Sequence, residues 1–199
     1  MSMTKKSVLS LLAVGLLAGC VPAASGPISM PLQERLRNPL VAERYWSELA
    51  EHMADFIRTK DPIMEDPIKL SIIDSERLRA LERVANARTI KDEGTIGLLK
   101  PAMFNEDAFG EVLLHGRTLY FSSTFEIKPN PSAYVYLSTN VDPRNGAFPD
   151  PTAVNLGALQ TAFGPQQFEV PESATIKDLR TVVLYDTRLQ KLIGFAQLN

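Results

Sequence analysis

The chain has 199 residues, a length typical of one domain or two small ones. Hydrophobic residues make up 45% of it and charged residues 22%, which excludes an intrinsically disordered or collagen-like chain. The formal net charge of -2 offers no basic surface for nucleic acid. With a single cysteine, the chain can form neither an internal disulfide nor a thiolate metal cluster.

The N-terminal residues have the layout of a secretion signal. Lys5 and Lys6 form a short positive region, and an apolar run follows at Ser7–Leu17. This run is shorter than the roughly 20 apolar residues that a membrane-spanning helix needs. We therefore predict a signal peptide over residues 1–19 rather than a permanent anchor.

The signal ends in the letters LAGC at residues 17–20, which resemble the lipobox of bacterial lipoproteins. The resemblance implies cleavage before Cys20 and acylation of its sulfur and its new amino group. Several acyl chains give a stable membrane anchor where one chain is marginal. We expect an extracytoplasmic, lipid-anchored protein of the cell envelope, and the Val-Pro pair after Cys20 favours the periplasmic face of the outer membrane over the inner membrane. The alternative is an ordinary secretory signal with an unmodified cysteine.

After the signal, the sequence predicts a tether and then a pair of helices. Residues 20–38 contain prolines and small residues without apolar periodicity, which predicts a lipidated tether. Residues 39–100 are predicted to form a helical hairpin, because apolar residues recur every three or four positions over about 39–59 and about 67–90. Asn38-Pro39 and Asp66-Pro67 are helix start signals.

From about Phe109 onward, apolar residues tend to occur at every second position, and aromatic and β-branched residues dominate. The predicted strands are Glu111–His115, Thr118–Phe125, Ala133–Ser138, Gln167–Val170, Thr181–Tyr185 and Leu192–Leu198. Short strands separated by proline-containing loops favour an antiparallel β-sandwich or barrel over residues 109–199. The predicted fold class is therefore α+β, with the helical hairpin ahead of the β-domain.

Four stretches of this β-domain carry a family resemblance. They are TLYF at 118–121 leading to Phe125, PSAYVYLS at 131–138, NLGAL at 155–159 with GPQQFEVP at 164–171, and TVVLY at 181–185 with GFAQL at 194–198. Residues 110–198 resemble the DM-thirteen domain, a small extracellular β-domain also found in bacterial lipoproteins. The resemblance implies that fold and, as proposed for the family, a role in electron transfer.

The chain departs from the family pattern at two places. The family's closing strand carries a tryptophan–cysteine pair, and Tyr185 and Asp186 stand at those positions here. Asn130-Pro131-Ser132 replaces the family's Gly-Pro-Asp. Without the thiol, the electron-transfer role that the resemblance implies loses its chemical group.

Five side chains are candidates for a ligand or redox site: Tyr185, Asp186, Tyr134, Tyr136 and His115. Asp186 is either a base or ligand at a pocket rim or the cap of the following turn, and we favour the cap. Tyr185 is either a stacking platform or a core residue, and we favour the core. Tyr134 and Tyr136 share one sheet face, which is either exposed or part of the core. His115, a lone histidine beside a glycine turn, fits local hydrogen bonding better than a ligand role.

The sequence favours a non-catalytic protein. It lacks the Gly-x-Ser-x-Gly elbow of hydrolases, the phosphate-binding loop and the dinucleotide fingerprint, and His52 with Glu48 supplies only two metal ligands. We expect no catalytic residue, no metal and no cofactor apart from the covalent lipid on Cys20. Two partners are expected. The membrane binds through that lipid, and an envelope protein docks on the helical hairpin. The main hypothesis is a binding or scaffold module, and the alternative is an extracytoplasmic electron-transfer module.

Overall fold

The computed structural model describes residues 31–199, so the signal peptide, Cys20 and most of the expected tether lie outside the described residues. A short helix α1 (Leu32–Arg35) comes first, followed by the long helices α2 (Pro39–Thr59) and α3 (Pro67–Glu93). Residues 31–38, expected within the tether, thus include a helical turn, and Asn38 is buried. None of the described helices is long and apolar enough to cross a membrane.

The predicted start signals set the N-terminal ends of the two long helices. The Asn38 side chain accepts a hydrogen bond from the Leu40 amide at 3.0 Å, and the Asp66 side chain accepts one from the Ile68 amide at 2.9 Å. Lys60 ends α2 in the left-handed conformation, with φ of 52°. A 3-10 turn (Pro62–Glu65) then joins α2 to α3, and the two helices pack together as the predicted hairpin.

The described residues contain eleven strands, which follow the hairpin. They are β1 (Thr95–Leu98), β2 (Lys100–Pro101), β3 (Ala108–Phe109), β4 (Glu111–His115), β5 (Thr118–Phe121), β6 (Glu126–Ile127), β7 (Ala133–Ser138), β8 (Val154–Ala158), β9 (Gln167–Glu169), β10 (Thr181–Asp186) and β11 (Lys191–Gln197). Two short 3-10 turns, Pro143–Asn145 and Ile176–Asp178, lie in the loops.

The strands form two main antiparallel sheets and one small one. The first sheet has the order β1-β4-β5-β9, the second has the order β2-β11-β10-β7-β8, and β3 pairs with β6. Alternate residues of both main sheets meet in one apolar core, including Val112 and Phe121 from the first and Val135, Leu184 and Ile193 from the second. The helical region followed by antiparallel sheets confirms the predicted α+β class.

Several strands differ from the sequence prediction. Strands begin at Thr95 rather than near Phe109, so residues 95–100, expected at the end of the hairpin, are part of the sheets. β5 ends at Phe121, short of the predicted Phe125, because the Phe125 amide donates to the Ser122 carbonyl at 3.1 Å and closes a turn. β8 was missed because its sequence, VNLGA, has little apolar alternation.

The helical hairpin is fastened to the first sheet by polar contacts. The buried Asn38 side chain donates to the Phe121 carbonyl at 2.8 Å. Lys91 Nζ of α3 lies 3.0 Å from Glu43 Oε2 of α2 and 3.1 Å from Glu111 Oε1 of β4. Burial raises the pKa of Glu43, but the bonds from Arg88 and Lys91 outweigh it and hold that pKa below its ordinary value.

Asn38 therefore both caps α2 and attaches it to β5. We expect Asn38→Ala to lower the free energy of unfolding by about 1–3 kcal/mol, because the cap is lost and a buried carbonyl loses its donor. Asn38→Asp keeps the cap acceptor but places a buried carboxylate oxygen against the Phe121 carbonyl, so it too should be less stable than the unchanged protein. Urea unfolding followed by circular dichroism measures both. Equal stability of Asn38→Ala and the exposed control Asn105→Ala would show that the attachment contributes nothing.

Candidate functional site

Asp186, the last residue of β10, is fully buried and accepts backbone hydrogen bonds with both carboxylate oxygens. Oδ1 accepts from the Arg188 amide at 2.9 Å and from the Leu189 amide at 2.8 Å. Oδ2 accepts from the Ser132 amide at 3.2 Å, just before β7. The carboxylate thus closes the turn between β10 and β11 and ties that turn to the neighbouring strand.

The same turn is held to β7 by further bonds. The Thr187 amide donates to the Ser132 carbonyl at 3.0 Å, and the hydroxyl oxygens of these two residues lie 2.8 Å apart. Burial raises the pKa of Asp186, but the amides of Leu189, Ser132 and Arg188 outweigh it, so that pKa lies below its ordinary value. A carboxylate held ionised in this way is a poor proton donor or acceptor near neutral pH.

Tyr185 and Tyr136 face away from the main core and belong to a second, smaller apolar cluster. Their ring centroids lie 6.2 Å apart, and the Phe148 ring covers both, at 5.2 Å from Tyr185 and 5.4 Å from Tyr136. Neighbouring residues of the same strands, such as Val135 and Leu184, face the main core instead. The outer face of the second sheet is therefore an aromatic layer covered by the loop that carries Phe148.

Two cations border this aromatic layer. Lys100 Nζ lies 4.5 Å from the centroid of the buried Phe195 ring, and the Arg144 guanidinium lies 4.9 Å from it. The Asn155 side chain donates to the Tyr136 hydroxyl at 3.3 Å. Burial, with Tyr134 and Tyr185 nearby, raises the pKa of Tyr136, so its phenol stays protonated near neutral pH.

Tyr134 packs at the edge of the same cluster and also lines an open cleft of 370 Å³. The cleft has amide and hydroxyl groups from Asn130, Ser132, Gln160 and Thr161, and no carboxylate, amine or imidazole in its lining. Such a lining can donate and accept hydrogen bonds with a neutral polar ligand. It carries no group suited to acid–base catalysis near neutral pH.

The structure brings three of the five candidate residues, Tyr134, Tyr136 and Tyr185, together on the outer face of the second sheet, whereas Asp186 alternates to the other face and His115 lies apart. Tyr134 pairs with Tyr185 across β7 and β10, and Asp186 follows in the same ladder. His115 lies on the first sheet at the turn before β5, and its Nε2 atom is 3.5 Å from Glu93 Oε2. Within residues 31–199, no three His, Cys, Asp or Glu side chains form a group that could hold a metal ion.

Sequence reasoning missed the residues that cover the aromatic layer. Phe148 and Arg144 lie in a long loop between β7 and β8, where hydrophobic periodicity gives no signal. Ser132 was noted only as a departure from the family pattern, yet its amide is a partner of the Asp186 carboxylate. The two departures from the family pattern, at Ser132 and at Asp186, are therefore joined by one hydrogen bond.

These observations define a small antiparallel β-sandwich with an aromatic outer layer, preceded by a helical hairpin. Residues 105–198 match the family model described as electron transfer DM13, and this part of the chain is a DM13 domain. The match leaves out the hairpin and the strands β1 and β2, which complete the two main sheets. No curated protein and no solved structure matches the chain.

We expect Asp186→Asn to lower the free energy of unfolding by about 1–3 kcal/mol, because an amide group cannot accept all three backbone bonds. Asp186→Cys, which restores the family's thiol, should lose at least as much. The Asp186 pKa is lower in the folded state than in the unfolded state. The carboxylate therefore stabilises the fold above pH of about 4, and this advantage shrinks as the pH falls through the folded-state pKa.

Urea titrations at pH 7 and at pH 3 measure this difference. The exposed Asp178→Asn is the matched control, and we expect it to unfold like the unchanged protein at both pH values. An Asp186→Asn protein that is as stable as the control at pH 7 would contradict the structural role of the carboxylate.

Proposed function

We propose that the protein is a lipid-anchored lipoprotein of the cell envelope whose DM13 domain is a non-catalytic binding module. Acyl chains on Cys20 attach it to the membrane, on the periplasmic face of the outer membrane. The helical hairpin adds a surface for an envelope protein, since Ile68, Ile72 and Leu78 of α3 are exposed. The lipobox resemblance supports the anchor, and the chemistry of the β-domain supports the binding role.

The observation that carries this proposal is the environment of Asp186. Both of its oxygens accept backbone hydrogen bonds, and the residue is buried at the position where the family resemblance implies a cysteine. A thiol there would supply redox chemistry, whereas a buried carboxylate with its acceptors in use supplies a rigid turn. The nearby cleft, lined by neutral polar groups, is consistent with ligand binding.

A second candidate function is electron transfer, which the match to the electron transfer DM13 family favours. In this chain the groups nearest to the family's pair are aromatic, with Tyr136, Phe148 and Tyr185 in mutual contact. This function requires either a tyrosine that is oxidised and reduced reversibly or a bound coloured cofactor.

The anchor is tested on the full chain expressed in a bacterium that processes lipoproteins. We expect the mature protein to begin at an acylated Cys20 and to be recovered with membranes, because several buried acyl chains hold it there. Intact-mass spectrometry and membrane fractionation measure both properties, with Cys20→Ser as the control that should remain unprocessed. A freely soluble protein with an unmodified thiol would refute the lipoprotein part of the proposal.

The choice between binding and electron transfer is tested on the same detergent-purified protein. We expect no visible absorption band and no reversible voltammetric wave. The described β-domain carries no thiol, and the buried Asp186 carboxylate accepts backbone hydrogen bonds with both of its oxygens. Tyr185→Phe removes the redox-active phenol and nearly preserves the packing. A reversible wave that is present in the unchanged protein and absent in Tyr185→Phe would establish the electron-transfer function instead.

A further inference from the structure

An exposed carboxylate on β6 has an exposed phenylalanine on either side, one on β3 and one in the loop between β8 and β9. Phe109 of β3 lies directly opposite Glu126 of β6, and Glu126 also forms an antiparallel bridge with Phe163. Phe109 is 50% exposed and Phe163 is 55% exposed. We call Phe109, Glu126 and Phe163 the aromatic–carboxylate patch.

The strand register places the three side chains on one face. Residues directly opposite each other in antiparallel strands project to the same side. The neighbouring pair Ala108 and Ile127 is buried in the main core, so the next pair, Phe109 and Glu126, must face outward. The burial pattern and the register therefore agree.

The spacing within the patch is set by the backbone. The Ile127 amide donates to the Ala162 carbonyl at 3.0 Å, and the Gly164 amide donates to the Phe125 carbonyl at 2.8 Å. These bonds flank Glu126 and Phe163 and make them a non-hydrogen-bonded pair, in which opposite Cα atoms lie about 4.5 Å apart. On the other side, the Lys128 amide donates to the Asp107 carbonyl at 3.3 Å, which makes Ala108 and Ile127 the non-hydrogen-bonded pair. The next pair, Phe109 and Glu126, is therefore of the hydrogen-bonded type, with Cα atoms about 5.5 Å apart. Both phenylalanines therefore stand in cross-strand positions directly next to Glu126.

The negative charge of the patch comes from the exposed carboxylate of Glu126. No lysine or arginine of residues 31–199 pairs with Glu126, and the nearby Lys128 is 3.1 Å from Asp107. Aromatic faces carry negative electrostatic potential and attract a cation within about 6 Å of the ring centroid. The carboxylate and the two rings thus favour the same kind of ligand, which is a cation.

We propose that the aromatic–carboxylate patch binds an arginine side chain of a partner protein. A guanidinium is planar and less strongly hydrated than an ammonium, so it can make paired hydrogen bonds to a carboxylate while it stacks on an aromatic ring. Arginine and aromatic residues are also enriched at protein–protein interfaces. This inference rests on the proposed binding function and specifies the chemistry of one partner contact.

Fluorescence anisotropy tests the proposal with a labelled peptide, Gly-Arg-Gly-Arg-Gly, and the full chain in neutral detergent. Two matched peptides carry lysine or the uncharged citrulline in place of arginine. We expect the arginine peptide to bind more tightly than both, and added salt to weaken its binding. Glu126→Gln and Phe163→Ala should each weaken it about fivefold, since one charge-assisted bond or one stacked ring is lost.

Two exposed control variants separate the patch from general surface effects. Glu172→Gln removes a carboxylate elsewhere, and Phe104→Ala removes a fully exposed ring outside the patch. Both should bind the arginine peptide like the unchanged protein. Absent binding, equal binding of the citrulline or lysine peptide, or equal losses in the control variants would each overturn the inference. A lipidated and redox-silent protein that fails this test would still satisfy the proposed function, so the two failures are distinguishable.

Discussion

The turn around Asp186 depends on one buried carboxylate that accepts three backbone amide bonds. An ionised group in an apolar interior is strongly destabilising unless hydrogen bonds replace its lost hydration. The amides of Ser132, Arg188 and Leu189 supply that replacement and fix where β10 ends, how β11 returns and how both meet β7. The family pattern has a cysteine at this position, whereas in this chain the position holds a carboxylate whose hydrogen bonds fix the turn.

The aromatic layer lies next to this turn. Tyr185, the residue before Asp186, stands directly beside Tyr134 in the ladder, and the covering loop brings Phe148 over Tyr185 and Tyr136. Elsewhere in the fold, Asn38 and Lys91 attach the helical hairpin to the first sheet. Asp186, Tyr136 and Tyr185 are thus buried, whereas the aromatic–carboxylate patch is exposed.

The sequence predicted the elements whose signals are local and repeated. Strong capping signals mark the helix starts at Asn38-Pro39 and Asp66-Pro67, and strong alternation marks the central strands predicted at 111–115, 133–138 and 181–185. The structure has all of these elements, with the last strand extending one residue further, to Asp186. Two-residue strands such as β3 and β6 are too short for any periodicity. The positions of β3 and β6 depend on pairing between segments that are distant in the sequence. The same holds for the position of the loop over the aromatic layer and for the aromatic–carboxylate patch.

The most direct test of the account is the ionisation of Asp186 itself, followed by carbon-13 NMR of its side-chain carboxyl during a pH titration of the full chain in neutral detergent. The account predicts a pKa below the ordinary value of about 3.9, because three amides favour the ionised form in spite of burial. A pKa at or above that value would contradict it, since the carboxylate would then lack those bonds and be available for proton transfer or ligand binding.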